Sequence, residues 1–246
     1  MTIRVVTGTS TGVGKTVITA AMAATAAAAG QTVAVVKPAQ TGLGPNESGD
    51  IAHVAELAGI EDLYELQRFP DPLAPEAAAR IRELPTLSRQ QIVSAIAALA
   101  EEFDLVLVEG AGGLLVRFDE HGTTLADIAE DLASDHDTEV VVVADPALGT
   151  LNHTALTVEA LQQRKLHLAG VVLGSWPLEP DLACQTNLVD LQSVVGAPIS
   201  GAMLAGAGEL NRENFLAAAE SSLSPAFGGR FDEADFAVTF QTRRTS

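Results

Sequence analysis

Five short runs along the chain are apolar at consecutive positions rather than at alternate ones: Ile3–Thr7, Thr32–Lys37, Leu105–Glu109, Val140–Ala144 and Ala169–Gly174. Continuous Val- and Leu-rich runs of this length predict parallel strands covered by helices on both faces. Longer stretches between them, Gly14–Ala29, Gly49–Ala58, Arg89–Glu102, Asn152–Arg164 and Asp181–Val195, predict helices. Alternating strands and helices point to an α/β domain, a doubly wound and mostly parallel sheet with helices on both faces. Thr41–Ser48 and Phe69–Pro75 break the pattern, the second as a Pro-punctuated loop before a helix. No repeat or linker divides residues 1–224, so they are expected to form a single domain. Residues 225–246 lose the βα pattern and are expected to be a loosely attached tail.

Composition narrows the reading. The 246 residues are 47% apolar, enough for a real core, but only 4% aromatic, so that core rests on Val, Leu, Ile and Ala. A formal charge of −18 repels phosphate backbones and anionic lipid, so no nucleic-acid or membrane partner is expected. The Ala-rich stretch Val17–Gly30 falls short of the roughly 20 residues that span a bilayer. A single cysteine, Cys184, and the lack of a signal-peptide pattern at Met1–Val6 fit a cytoplasmic protein. Any phosphate site must be a small local pocket.

Such a pocket is legible. The first run leads into Gly8-Thr-Ser-Thr-Gly-Val-Gly-Lys-Thr16 and then an Ala-rich helix. Strand, Gly-rich turn and helix start are the context a phosphate-binding loop needs. Thr9 stands where the commonest form has its first glycine, and Gly8 lies one residue earlier. Backbone N–H groups and the helix dipole there favour phosphate. Lys15 can reach the terminal phosphates, and the Thr16 hydroxyl is placed for magnesium. Glu109, closing the run Leu105–Glu109 before Gly110-Ala-Gly-Gly113, is a second metal-ligand candidate, against a plain strand-end glutamate. Asp50 is a third, or simply the N-cap of its helix. Lys37 is either a cation at the sheet edge near the phosphates or a solvated strand-end lysine.

Taken together, Thr7-Gly-Thr-Ser-Thr-Gly-Val-Gly-Lys-Thr16, Lys37-Pro-Ala-Gln-Thr-Gly42, Val108-Glu-Gly-Ala-Gly-Gly113 and Leu148-Gly-Thr-Leu-Asn-His-Thr154 resemble the dethiobiotin synthetase family, within the P-loop NTPases. The match covers most of the chain to about Gly206. The resemblance implies joining of CO2 to 7,8-diaminononanoate as a carbamate, activation by a nucleoside triphosphate, and closure of a cyclic urea. It implies that Thr16, Asp50 and Glu109 hold Mg2+, and that Lys37, Lys15 and Thr11 are catalytic. It places the nucleotide on Gly12, Val13, Gly14, Lys15, Thr16, Val17, Glu109, Gly110, Ala111, Gly112, Gly174 and Ser175. It places the substrate on Thr41, Gly112, Leu148, Gly149 and Asn152, the last three reaching a partner's site in a homodimer with shared active sites. Asn152 is equally an ordinary helix N-cap.

The chain departs from the family after Ala169–Leu173, where many relatives have an adenine-reading Asn and this one reads Gly174-Ser-Trp-Pro177. Neither Ser175 nor Trp176 offers an amide's paired donor and acceptor, so ATP or another nucleoside triphosphate can serve. Trp176 either stacks on a base or packs at the sheet edge. His53, His121, His136, His153 and His167 have no metal-ligand spacing, and Cys184 reads as packing rather than nucleophile. A partitioning-type ATPase that switches partners is the alternative reading. It lacks support from the loop, because Thr9-Ser10-Thr11 leaves no place for the second lysine those proteins carry. An amide-forming ligase would need a glutaminase domain for which there is no room.

Overall fold

The computed structural model describes residues 1–240. In chain order its strands are β1 (Thr2–Gly8), β2 (Val33–Lys37), β3 (Gln40–Thr41), β4 (Leu63–Glu65), β5 (Arg68–Phe69), β6 (Leu105–Gly113), β7 (Thr138–Ala144), β8 (His167–Trp176) and β9 (Gly201–Leu204). The helices are α1 (Lys15–Ala28), α2 (Asp50–Ala58), α3 (Pro75–Arg82), α4 (Arg89–Ala100), α5 (Leu125–Asp135), α6 (Thr150–Gln163), α7 (Leu182–Val195), α8 (Arg212–Ser222) and α9 (Glu233–Phe240). Seven strands form one sheet in the order β4-β2-β6-β1-β7-β8-β9, every neighbour pair parallel. β3 and β5 pair separately beside the cleft described below.

Successive strand residues point to opposite faces, and two cores result. Val6, Leu105, Leu107, Val141 and Val143 face α1, α2 and α8. Ile3, Val5, Val106, Val108, Val140 and Val142 face α4 to α7. The Ala-rich α1 is buried along most of its length. Small side chains let α2 and α8 pack closely over it, so the Val17–Gly30 stretch is a core helix. No helix among the described residues is long and apolar enough to cross a membrane.

All five expected strands and all five expected helices form, with shifts of a few residues at their ends. Two strands run further than expected. β6 continues through its glycines to pair Gly113 with Gly8, and β8 reaches Trp176. Seven of the described elements have no counterpart in the hydrophobic pattern: β3, β4, β5, β9, α5, α8 and α9. β4 and β9 are three and four residues long, too short to show a period. α5 is different, since its signal was there: Thr124 and Asp127 form a capping box, and Leu125, Ile128, Ala129 and Leu132 make a buried stripe.

The tail expected to be loose over 225–246 is packed over its described part. Phe227 and Phe231 are buried, and the Thr25 hydroxyl donates to the Phe227 carbonyl at 2.8 Å. Glu233 accepts hydrogen bonds from Gln192 and the Ile199 N–H, which holds α9 against α7 and the approach to β9. Residues 241–246 of that segment lie outside the described residues. The βα pattern stops here because the segment covers a finished sheet edge and adds no strand to it.

Candidate active site

The loop between β1 and α1 turns on two glycines in the left-handed region, Gly12 at φ 78° and Gly14 at φ 94°. Its floor is Val13, buried against Gly174 at the end of β8. Only glycine fits at 174, since a Cβ there would run into the Val13 carbonyl. Lys15 bends over the loop and donates to the Ser10 carbonyl at 3.0 Å. Burial is the main force holding its pKa below the usual lysine value; the Lys37 charge adds to this and Glu109 and Asp50 oppose it.

Parallel register brings the other charges together. Val36 lies opposite Val108 and Val6 opposite Glu109, so Lys37 and Glu109 emerge side by side next to the loop. The Lys37 ammonium sits 2.8 Å from Glu109 Oε1 and 2.6 Å from Asp50 Oδ2, and donates to the Gly110 carbonyl at 3.2 Å. Burial alone would lower its pKa, but the two carboxylates outweigh it and raise the value, so Lys37 stays charged at neutral pH. It is not a solvated strand-end lysine.

Asp50 is the first residue of α2, and the cap position belongs to Gly49, which supplies no side chain. The Asp50 N–H is satisfied instead by Gln40 Oε1 at 3.0 Å, leaving the carboxylate free to face Lys37. Gln40 is a site residue that sequence reasoning missed. Its only signal was a place inside the Lys37–Gly42 segment.

Thr16 donates its hydroxyl to Glu109 Oε1 at 2.9 Å, while the fully buried Glu109 Oε2 has no hydrogen-bond partner among the described residues. One hydroxyl and two carboxylates, with a buried oxygen left over, make the hard, all-oxygen set that suits Mg2+. Thr16, Asp50 and Glu109 can therefore hold it. Among the described residues no cluster of three His, Cys, Asp or Glu side chains could hold a metal alone. Remaining positions would fall to phosphate and water.

These groups line a cleft of about 570 Å³ together with Thr11, Gly12, Gly14, Val17, Thr41, Ala111 and Gly112. Its far wall, also missed, is Pro72, Leu73, Ala74, Pro75 and Val116, from the Pro-punctuated loop and the turn after β6. Leu148, Gly149, Asn152, Gly174 and Ser175 do not line this cleft. α6 begins at Thr150 with Gly149 as its cap, so Asn152 is inside the first turn and is no N-cap. Leu148 is 89% exposed, and Gly149 and Asn152 also face solvent.

Trp176 is fully buried against Phe236 and Phe240, which ends the base-stacking alternative. The Cys184 thiol is also buried; desolvation, with Asp181 beside it, pushes its pKa up to about 11, so it stays protonated and unreactive at neutral pH. His53 bonds the Gly208 carbonyl at 2.9 Å, a packing role.

A strand, a glycine loop ending in Lys15-Thr16 and a carboxylate on the neighbouring strand define a P-loop nucleotide-binding protein. Solved structures agree at the level of fold. A ParA family ATPase of Chlorobium tepidum matches 96% of this chain and 98% of its own at 16% identity and TM-score 0.55. The cell division ATPase MinD of Pyrococcus furiosus matches 97% and 98% at 17% identity and TM-score 0.54. A family model described as an AAA domain covers residues 4–203. More specific are curated relatives named ATP-dependent dethiobiotin synthetase. One from Frankia casuarinae is 55% identical over 98% of this chain and 100% of its own, and one from Streptomyces avermitilis is 54% identical over 98% and 99%. The chain belongs to the dethiobiotin synthetase family, ATP-dependent ligases that form carbon–nitrogen bonds.

Proposed function

We propose that this chain makes dethiobiotin from 7,8-diaminononanoate, CO2 and a nucleoside triphosphate, acting in the cytoplasm as a homodimer. The observation that carries this reading is a second buried ammonium, Lys37, delivered into the phosphate cleft from β2 and kept charged by Glu109 and Asp50. Partitioning-type ATPases bring their second lysine from the loop itself, where this chain has Thr9-Ser10-Thr11. A carbamate calls for a cation at Lys37, because an anion must be held beside an anionic phosphoryl group.

One amine of the substrate combines with CO2, losing a proton to give the carbamate. A carbamate oxygen then takes the γ-phosphoryl group, and the nucleoside diphosphate leaves. The second amine attacks the carbamoyl carbon of this mixed anhydride, the C–O bond to phosphate breaks, and the urea ring closes. Lys15 and Lys37 neutralise the carbamate and the transferring phosphoryl, while Thr11 and Thr41 offer hydroxyl donors. Alignment and charge neutralisation are most of what phosphoryl transfer requires. Mg2+ on Thr16, Asp50 and Glu109 would supply further neutralisation of the phosphates. The apolar wall of Pro72, Leu73 and Val116 suits the aliphatic part of the diamine. The exposed start of α6 suits the substrate's tail carboxylate, received from a second copy, since free N–H groups at a helix start bind carboxylate. The unpaired Cys184 thiol fits a reducing compartment.

Phosphate release measured with and without diaminononanoate and bicarbonate tests the reading. Release should require both; release that ignores the diamine would overturn it in favour of the ATPase alternative.

Base choice follows from the end of β8. Ser175 is exposed there without a paired amide, and Trp176 points into the core. Side-by-side kinetics should show GTP and CTP within about tenfold of ATP, as expected where no buried hydrogen-bond pair rejects the wrong base. An ATP preference of about 10³ would mean that another group reads adenine.

A further inference from the structure

The chain holds 8 Phe and a single Trp, and Trp176 packs against two of those Phe, a third lying against one of them. Trp176 lies edge-on to Phe236 at 5.2 Å and to Phe240 at 5.7 Å, with Phe231 and Phe236 also 5.2 Å apart. Phe236 and Phe240 belong to α9. Pairs in this geometry add to the stabilisation that burial already supplies.

The place matters because of what Trp176 fixes. β8 pairs with β9 at Leu173 and Ala202, loses register, and resumes at Trp176 and Leu204, so β8 carries one residue more. This bulge falls on Gly174 and Ser175. Gly174 seats against the Val13 carbonyl in the phosphate loop, and Ser175 is turned to solvent. A bulge re-aims a strand end but disrupts the ladder that would hold it. Trp176 restores the hold, with its side chain buried in the aromatic cluster and its carbonyl accepting the Ala205 N–H at 2.7 Å. The same contact ties down the exposed turn Ala205–Gly206.

Sheet order shows which part of the nucleotide lies there. Lys37 and Glu109 sit on β2 and β6, on one side of β1, and they mark the γ-phosphate end. A triphosphate on the loop must therefore run its nucleoside the other way, over β7, β8 and β9. We infer that helix α9 is a positioning element for the nucleoside half of the site, with Phe236 and Phe240 acting through Trp176 on the Gly174–Ser175 bulge and the Ala205–Gly206 turn. The inference rests on the nucleotide reading of the cleft, but not on the diamine chemistry.

The test compares two probes on the full chain by calorimetric titration with magnesium: a non-hydrolysable ATP analogue and inorganic tripolyphosphate. The Phe236→Ala/Phe240→Ala variant should bind the nucleotide about tenfold more weakly, as if about a tenth of molecules held a competent edge, and tripolyphosphate within about twofold of wild type. Phe236→Leu/Phe240→Leu, which keeps most of the apolar volume, should recover most of the nucleotide affinity. If the double alanine variant does not fold, Phe240→Ala alone is read by the same titrations, with a smaller split in the same direction. Parallel loss of both affinities would make α9 a stability element only, and two unchanged affinities would remove any role at the site; either result overturns the proposal. Neither titration uses turnover, so a failure of the dethiobiotin reading shows elsewhere, in diamine-independent phosphate release.

Discussion

Lys37→Gln will cost turnover by about 10² or more while nucleotide still binds, if as proposed it removes one of two fixed cations at the developing charge. The structure adds a second effect. Lys37 and Glu109 are almost fully buried, with side chains only 4% and 1% exposed, so the variant leaves a buried carboxylate beside Asp50 with no cation between them. Breaking a buried pair from one side costs about 3 kcal/mol or more. Asp50, with its side chain 35% exposed, can turn toward water, which places the loss near the low end of that range. The unliganded variant should therefore melt below wild type, and magnesium with nucleotide should narrow the gap. Steady-state phosphate release and melting curves with and without magnesium nucleotide check both halves. Near-wild-type turnover would remove Lys37 from the catalytic set.

Mixing two inactive variants will restore activity if each site draws on two chains. Lys37→Gln damages the phosphate half. Asn152→Leu places a branched apolar side chain in the first turn of α6, at an exposed position far along the chain from the phosphate loop. In a mixed dimer one site inherits both lesions and the other inherits neither. Random pairing makes half the dimers mixed, so recovery should approach about a quarter of wild type when the sites act independently. Sites complete within one chain predict no recovery at all. Absence of rescue, with mixed dimers demonstrated by tagged pull-down, would return Asn152 to a solvent-facing helix residue. Within one chain Leu148, Gly149 and Asn152 face solvent and do not line the cleft that holds Lys15 and Lys37.

Local chemistry made much of this molecule legible. Strands such as Val140–Ala144 are apolar on both faces because helices cover both, and that pattern needs no partner to be read. Gly8–Thr16 announces its function because a phosphate needs backbone N–H groups, a helix start, a lysine and a hydroxyl within a few consecutive residues. What consecutive residues do not contain is register and crossover. Whether Lys37 was a solvated lysine or a cation in the cleft depended on β2 lying beside β6, which puts it 2.8 Å from a residue 72 positions away. Asp50 could be cap or ligand by spacing alone; in the fold Gln40 takes its N–H and its carboxylate faces Lys37. Trp176 could have met a base or a core, and the answer came from α9, in a segment whose sequence looked unattached. Fold class and phosphate loop are written in the order of the residues, since both follow from short-range periodicity and spacing. The partners of Lys37, Asp50 and Trp176 emerge on folding alone, because burial and charge pairing are set by neighbours distant along the chain.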